Sequence, residues 1–243
     1  MQQRLKDMDI KRVRKDYPQI NYVDSKGVQW IELNRGCLRG CPFCYSDPNF
    51  KEFSIPKIES NKVQIIGEGF LYDSRFIYLL ETLSKIKFNN KVIYYGFSQG
   101  LDYRLFIPFL EVLLSKGRFG LINSKGNWVK GIRLSWDLGL NQSNKLSMIL
   151  KRLENVNYKL KNIIIFVLTN WKIDYNTCLK KLDQIKKWGV RIDDCTWDTT
   201  KKNFIPLYWN VKDYKDFRSK CRKHNQLIAF NGYDPEIKKR ENK

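Results

Sequence analysis

Six short apolar runs alternate with amphipathic stretches along this chain, and this order constrains its fold more than any other feature. The apolar runs are rich in β-branched residues and bounded by Gly and Asn, as is typical of strands, and they cover residues 28–33, 62–69, 91–97, 131–137, 162–170 and 190–197. Apolar residues at three-to-four spacing predict helices after every strand but the first, at residues 74–86, 104–117, 144–156, 175–189 and 212–227. This alternation favours βαβ units and a parallel sheet.

The number of units limits the choice of architecture. A closed barrel of eight βα units takes about 250 residues, whereas this chain has 243 residues and its first predicted strand begins only at residue 28. We therefore predict an α/β fold with a mostly parallel sheet, a partial (β/α)6 TIM-like barrel, as one domain over residues 28–230. A doubly wound sheet is the alternative. Residues 1–27 are predicted to be a basic N-terminal extension and residues 231–243 a basic C-terminal tail.

Neither a membrane span nor an export signal is expected. No apolar run approaches the ~18–20 residues that a spanning helix needs, and the first residues, MQQRLKDMDIKRVRKDYPQ, contain no apolar core of a signal peptide. The expected location is therefore cytoplasmic. In a reducing compartment, clustered cysteines bind metal or carry out chemistry and do not form disulfides.

The charge is strongly basic, with 45 Lys and Arg against 25 Asp and Glu and a net charge of +20. Such an excess attracts polyanions, nucleic acid above all. The alternative is a composition bias, because the chain is also rich in Lys, Asn and Ile, as proteins from AT-rich genomes are. The charge is spread over the whole chain and forms no single stripe, so both interpretations stay open.

Three of the six cysteines lie within eight residues, directly after the first predicted strand. Cys37, Cys41 and Cys44 have the spacing C-x3-C-x2-C, in a region where parallel α/β folds place their ligands. Three thiolates can hold three irons of a cubane cluster and leave the fourth iron open to another ligand. A structural zinc site is the alternative, but it usually has a second pair of ligands, and the single histidine, His224, is far away in sequence.

The segment CLRGCPFC resembles the signature of the radical SAM superfamily, with Phe43 at its aromatic position. The resemblance implies a [4Fe-4S] cluster on the three cysteines and S-adenosyl-L-methionine (SAM) on the open iron. Reductive cleavage of SAM would give a 5′-deoxyadenosyl radical that abstracts hydrogen from a substrate, here unknown. The family fold is a partial barrel, and a one-electron reductant such as flavodoxin or ferredoxin is implied as a partner. The charge adds nucleic acid or a nucleotide as the expected substrate class.

Further positions are expected at the cofactor on this resemblance. Gly67-Glu68-Gly69 stands where the family carries a Gly-Gly-Glu-like motif that holds the amino group of SAM, and polar groups at the ends of later strands contact its ribose and carboxylate. The expected cofactor-binding residues are Phe43, Gly67, Glu68, Gly69, Gln99, Arg133, Ser135 and Val167.

Each of these positions has a simpler alternative. Glu68 can belong to a plain strand-to-helix turn. Near Gln99, Asp102 can bind the ligand or cap the following helix. Arg133 can pair with Asp137 instead of a cofactor carboxylate, and Val167, like Leu168, fits a buried core strand as well as a contact with adenine.

The remaining candidates are aromatic residues and distal cysteines. Trp197 is expected near the rim, where it could stack on adenine or on a substrate base, and Trp128 and Trp209 would suit stacking on nucleic acid. The other cysteines do not show the compact spacing of a second cluster; they are Cys178, Cys195 and Cys221. The alternative function is a non-enzymatic nucleic-acid-binding protein with a zinc or redox cysteine site.

Overall fold

All six predicted strands are present in the computed structural model, which describes residues 17–44, 46–116, 118–137, 139–197 and 206–231. The strands are β1 Asn21–Val23, β2 Gln29–Glu32, β3 Asn34–Arg35, β4 Lys51–Glu52, β5 Lys62–Ile66, β6 Lys87–Phe88, β7 Lys91–Val92, β8 Tyr94–Phe97, β9 Phe119–Ile122, β10 Trp128–Val129, β11 Ile132–Trp136, β12 Ile163–Thr169 and β13 Arg191–Thr196. The α-helices are α1 Phe76–Lys85, α2 Pro108–Lys116, α3 Ser143–Asn155, α4 Tyr175–Trp188 and α5 Val211–Asn231. Short 3-10 helices cover Phe70–Tyr72, Tyr103–Leu105, Leu140–Gln142 and Leu160–Asn162.

The chain divides into two compact units. The first takes the described residues up to Leu101 together with Lys116–Lys130, and the second takes Asp102–Ser115 together with the described residues from Gly131 onward. The predicted boundaries of the N-terminal extension and the C-terminal tail stay predictions. Within the predicted extension, β1 pairs antiparallel with β2 as an edge strand. Most of the basic residues of the extension and nearly all of the predicted tail lie outside the described residues.

The first unit contains a six-stranded sheet in the order β1-β2-β5-β8-β9-β10. The four central strands run parallel, and the two edge strands are antiparallel to their neighbours. The register places Ile31, Ile65 and Phe97 on one face, where they are almost completely buried. Helix α1 lies against this sheet, since the hydroxyl of Tyr95 donates to the carbonyl of Leu83 at 2.8 Å.

The second unit contains a three-stranded parallel sheet in the order β11-β12-β13. Helix α4 begins at an N-cap, where Asp174 accepts from the backbone of Thr177 at 2.8 Å, and ends at Gly189, whose φ of +66° suits the left-handed position after a helix. Helix α4 packs against β12 and β13, and α5 packs against β13 and α4. The prediction of an α/β fold with a mostly parallel sheet is therefore confirmed, and the described residues form no closed barrel.

The pairing of the strands differs from a simple run of six. The predicted third strand is two strands, because β7 pairs with β6 in a hairpin while β8 joins the parallel sheet. Asn89 and Asn90 form the two-residue connection of that hairpin with φ of +49° and +60°, as a type I′ turn requires. The parallel partner of β8 is β9, a strand that the sequence did not predict.

Within the described ranges, none of the helices has both the length and the apolar character that a membrane crossing requires.

Candidate functional site

The cysteine loop is closed at its base by two short strands. Strand β3, just after β2, pairs antiparallel with β4, so that residues 36–50 form a loop whose ends lie side by side. Inside the loop, the backbone of Cys37 donates to the carbonyl of Asp47 at 2.8 Å. Gly36 has φ of +84°, and a side chain there would overlap the carbonyl oxygen of Asn49. This position therefore requires glycine.

A buried ion pair fixes the base of the loop. The guanidinium of Arg35 donates to both carboxylate oxygens of Glu32, at 2.7 and 2.5 Å, and both residues are buried. Arg35 also donates to the carbonyls of Tyr17 and Pro18 and lies over the ring of Phe53. The carboxylate of Glu32 raises the pKa of Arg35, so the guanidinium stays charged. The strand before the loop, the segment after it and the chain near residue 17 are thus joined at one point.

The three loop cysteines are not in disulfides, and they differ in exposure. Cys37 and Cys41 are half-buried and Cys44 is exposed. A turn links them, since the backbone of Cys44 donates to the carbonyl of Cys41 at 3.0 Å, and the thiol of Cys44 lies 3.1 Å from the hydroxyl of Ser46. Phe43, between the last two cysteines, is half-buried. The loop therefore presents its thiols toward accessible space and does not bury them in the core.

The pKa of Cys37 is shifted by burial and by the charged groups around its thiol. Burial raises the pKa of the Cys37 thiol, and negative charge on Cys44 and Glu68 raises it further, while Arg39 acts in the opposite direction. Both Cys44 and Glu68 therefore lie close enough to Cys37 to act on its thiol. A cationic or metal group at this place would reverse the shift, because it favours the thiolate.

The Gly-Glu-Gly turn after β5 packs directly on the cysteine loop. A side chain at Gly67 would overlap the amide oxygen of Asn34, and a Cβ at Gly69 would lie 3.2 Å from the sulfur of Cys37. Glu68, between these glycines, is half-buried. The two predicted motifs thus lie together at the carboxyl ends of two adjacent parallel strands, and the glycines are there because the backbones approach so closely.

Among the residues that the structure describes, no group of three or more His, Cys, Asp or Glu side chains is arranged to hold a metal ion. The loop thiols thus do not converge as the ligands of a zinc ion do. A cubane cluster makes a different demand, because each thiolate binds its own iron and the sulfurs surround a larger group. In donor chemistry the loop offers three cysteine thiols that are not in disulfides, and a turn without side chains at Gly69 lies beside Cys37.

The polar residues predicted near the end of β8 have different surroundings. Ser98 uses both its backbone and its hydroxyl to donate to the carbonyl of Ile65, at 3.1 and 3.0 Å, and Gln99 is exposed. In the second unit, Asp102 accepts from the backbone of Arg104 and pairs with its guanidinium. Of the two alternatives for Asp102, capping is the one that the structure shows, although the helix it caps is a short 3-10 turn.

In the second unit, the strand register places Arg133 and Ser135 on one face of the sheet and Val167 on the other. Arg133 and Ser135 lie on one face of β11, and the Arg133 guanidinium lies 5.5 Å from the centre of the Phe166 ring. The parallel register aligns Ser135 with Phe166 but Trp136 with Val167, so Val167 lies on the opposite face, among buried residues. Leu168 takes the face of Arg133 and Ser135 instead. The predicted contact of Val167 or Leu168 with adenine stays a prediction.

The distal cysteines are buried or half-buried single thiols. Burial raises the pKa of Cys178 to about 12 and also raises the pKa of Cys195 and Cys221. Cys178 contacts the carbonyl of Leu168 from α4, and Cys221 is buried in α5. Thiols with raised pKa values are poor nucleophiles, as expected for packing residues.

Two of the tryptophans proposed for stacking have other roles. Trp209 is buried, with its indole donating to the carbonyl of Ile173 at 2.7 Å, so it cannot offer a face to a ligand. Trp128 donates to the carbonyl of Tyr95 at 3.1 Å and packs on the ring of Tyr94. Trp197 is half-buried at the end of β13, and it contacts two aromatic residues that no sequence motif marked, Trp171 and Tyr208.

Known proteins add no family to this description. The first unit contains a cysteine loop with a glycine turn packed against it, and the second unit contains a strand face that carries Arg133 and Ser135. Comparisons of the chain with protein-family models, with curated proteins and with solved structures found no match.

Proposed function

We propose that this protein is a radical SAM enzyme, with Cys37, Cys41 and Cys44 as ligands of a [4Fe-4S] cluster. The observation that carries the proposal is the position of the C-x3-C-x-Phe-C loop at the carboxyl end of β2, packed against the Gly-Glu-Gly turn of the neighbouring strand β5. The predicted partial barrel is the architecture that goes with this function. The proposed location is the cytoplasm, where reducing conditions keep the thiols available for iron.

The cluster and SAM together would supply a carbon radical able to abstract hydrogen from a substrate. The residues of the chain have simpler tasks. Glu68 accepts hydrogen bonds from the ammonium of SAM, and the absence of side chains at Gly67 and Gly69 lets that ligand approach the backbone. In the second unit, Arg133 and Ser135 share a face and are suited to a carboxylate and a ribose hydroxyl.

The proposed partners follow from the chemistry. Reduction of the cluster needs a one-electron donor, such as flavodoxin or ferredoxin. The net charge of +20 supports a nucleic-acid or nucleotide substrate.

Anaerobic reconstitution with iron and sulfide tests the proposal. The expected result is the broad visible absorption of an iron–sulfur cluster, about four irons per chain, and release of 5′-deoxyadenosine from SAM after reduction. Alanine at Cys37, Cys41 or Cys44 should abolish both signals. Cys195→Ala, which alters a half-buried cysteine outside the loop, is the matched control and should retain normal iron content.

Two results would contradict the enzyme. One is tight binding of about one zinc with no deoxyadenosine, as a structural or redox cysteine site would show. The other is a loss of iron in the Cys195→Ala control as large as in the loop variants, since the cluster would then use a different set of ligands.

A further inference from the structure

Three aromatic side chains form a cluster at the carboxyl edge of the sheet in the second unit. The aromatic cluster consists of Trp171 after β12, Trp197 after β13 and Tyr208 before α5, with ring centres 4.6, 5.4 and 5.8 Å apart. The two tryptophans are half-buried and Tyr208 is 41% exposed. The rings meet at angles of 58° to 65°, so they do not cover one another's faces by parallel stacking.

A single buried amide holds the cluster together. Asn170 is completely buried, and its side chain donates to the carbonyl of Trp197 at 3.2 Å and accepts from the backbone of Tyr208 at 3.0 Å. Asn170 has a φ of +53°, a left-handed backbone conformation, and this conformation sets the direction in which the chain continues to Trp171. Asn170 is thus a positioning residue for all three rings. Aromatic groups fixed in this way lose little entropy when they bind a ligand.

The element that follows the cluster is basic on its exposed side. Helix α5 begins three residues after Tyr208, and its exposed cationic residues include Lys212, Lys215, Arg222 and Lys223. Aromatic rings beside a basic surface are the combination that binds single-stranded nucleic acid, with bases stacked on the rings and phosphates near the cations. Duplex DNA keeps its bases stacked inside and cannot use the rings.

We propose that the aromatic cluster and the basic face of α5 bind single-stranded nucleic acid, with a base stacked on Trp171, Trp197 or Tyr208. The proposal deepens the proposed function by naming its substrate class, and it rests on that function only for the reaction that follows binding. The binding of nucleic acid itself needs no iron–sulfur cluster, so it can be measured separately from the reaction.

The test uses the full chain without cofactors and a labelled single-stranded oligonucleotide of mixed sequence, as RNA and as DNA, with a duplex of the same sequence for comparison. Fluorescence anisotropy gives the affinity, and quenching of tryptophan fluorescence reports stacking. The wild type should bind the single strand more tightly than the duplex. Trp171→Ala should weaken binding about tenfold, and Trp171→Phe should restore part of the loss.

Two further variants separate stacking from charge. Tyr22→Ala removes an exposed aromatic residue of the first unit that stacks on Trp30, and it should bind as the wild type does. The double variant Lys212→Gln, Lys215→Gln should make the salt dependence shallower by about 1.4 in log–log slope, since each phosphate contact on a single strand contributes about 0.7. Circular dichroism confirms that each variant is folded.

Several outcomes would overturn the proposal. Wild-type affinity in each of Trp171→Ala, Trp197→Ala and Tyr208→Ala would show that the rings make no contact. Equal affinity for single strand, duplex and heparin would reduce the surface to unspecific charge. Quenching by SAM alone, with competition against the oligonucleotide, would make the cluster a cofactor site. Intact oligonucleotide binding in a chain that assembles no iron cluster would instead support this site and refute the radical enzyme.

Discussion

Replacing the buried Lys181 by methionine should stabilise the protein, and more at neutral than at alkaline pH. Lys181 lies in α4 with no exposed surface, and its ammonium donates to the carbonyl of Trp136 at 2.9 Å and lies over the Trp136 ring. Burial lowers the pKa of Lys181 from 10.5 to about 8, although Cys178 and Asp137 partly offset the effect. Because the folded protein disfavours the charged amine, the protonated lysine reduces the stability of the fold.

The size of the effect follows from the two pKa values. Below pH 8 the amine is protonated in both the folded and the unfolded chain, so the full cost of burying the charge is present. Between pH 8 and 10.5 the unfolded chain binds more protons than the folded chain, so the stability of the wild type rises with pH. From pH 7 to pH 9.5 this gain is about 2 kcal/mol, and Lys181→Met lacks it.

Urea unfolding at pH 7 and pH 9.5, under reducing conditions, measures the prediction. The free-energy difference between Lys181→Met and the wild type should shift by about 2 kcal/mol between the two pH values, in favour of methionine at pH 7. Other titrating groups contribute equally to both proteins and cancel. Lys180→Met, which alters an exposed neighbour on the same helix, should show no shift. A difference independent of pH at position 181 would refute the reasoning.

Three further predictions concern the Gly-Glu-Gly turn of the first unit and an ion pair of the second unit. Gly67→Ala should destabilise the protein by about 1–3 kcal/mol in urea unfolding, since its side chain would overlap Asn34, and a neutral effect would mean that the two backbones can separate. Glu68→Ala should weaken SAM binding about tenfold in equilibrium dialysis of the reconstituted protein while its iron content stays normal, since the lost charge-assisted hydrogen bond is worth about 1.5–3 kcal/mol; unchanged affinity would make Glu68 a turn residue. Arg152→Met should lower the free energy of unfolding by about 1–3 kcal/mol, because it leaves the buried carboxylate of Glu111 without the partly exposed guanidinium 2.9 Å away. Arg152→Met combined with Glu111→Leu should recover most of that loss, and a double variant as unstable as the single one would exclude the ion pair as its cause.

The sequence predicted the strands whose apolar runs are continuous, because burial on a parallel sheet requires such runs. It missed strands that are stabilised mainly by pairing. Strands β6 and β7 have two residues each and form around Asn89 and Asn90, a turn signal that was visible in the sequence. Strand β9, FGLI, interrupts its apolar run with Gly120, which is needed because a side chain there would overlap β10.

The site was predictable where its chemistry is local in sequence. The spacing of Cys37, Cys41 and Cys44 and the adjacent glycines of residues 67–69 required no knowledge of the fold. Relations between strands were not accessible, because one residue of register decides which face a side chain takes. Alternation placed Arg133 and Ser135 together correctly, whereas Val167 lies in a run that is buried on both faces and gives no sign of its direction.

The hydrogen-bonded base of the cysteine loop has a consequence for the order of assembly. The closure entropy of residues 36–50 is already offset by the β3–β4 pairing and by the Glu32–Arg35 ion pair, neither of which needs iron. In the proposed enzyme, insertion of the cluster would not have to close this loop, because its ends are already fixed. The proposed enzyme could then complete its fold first and receive iron and sulfide afterwards from a donor, which would keep an oxygen-sensitive group out of the folding reaction.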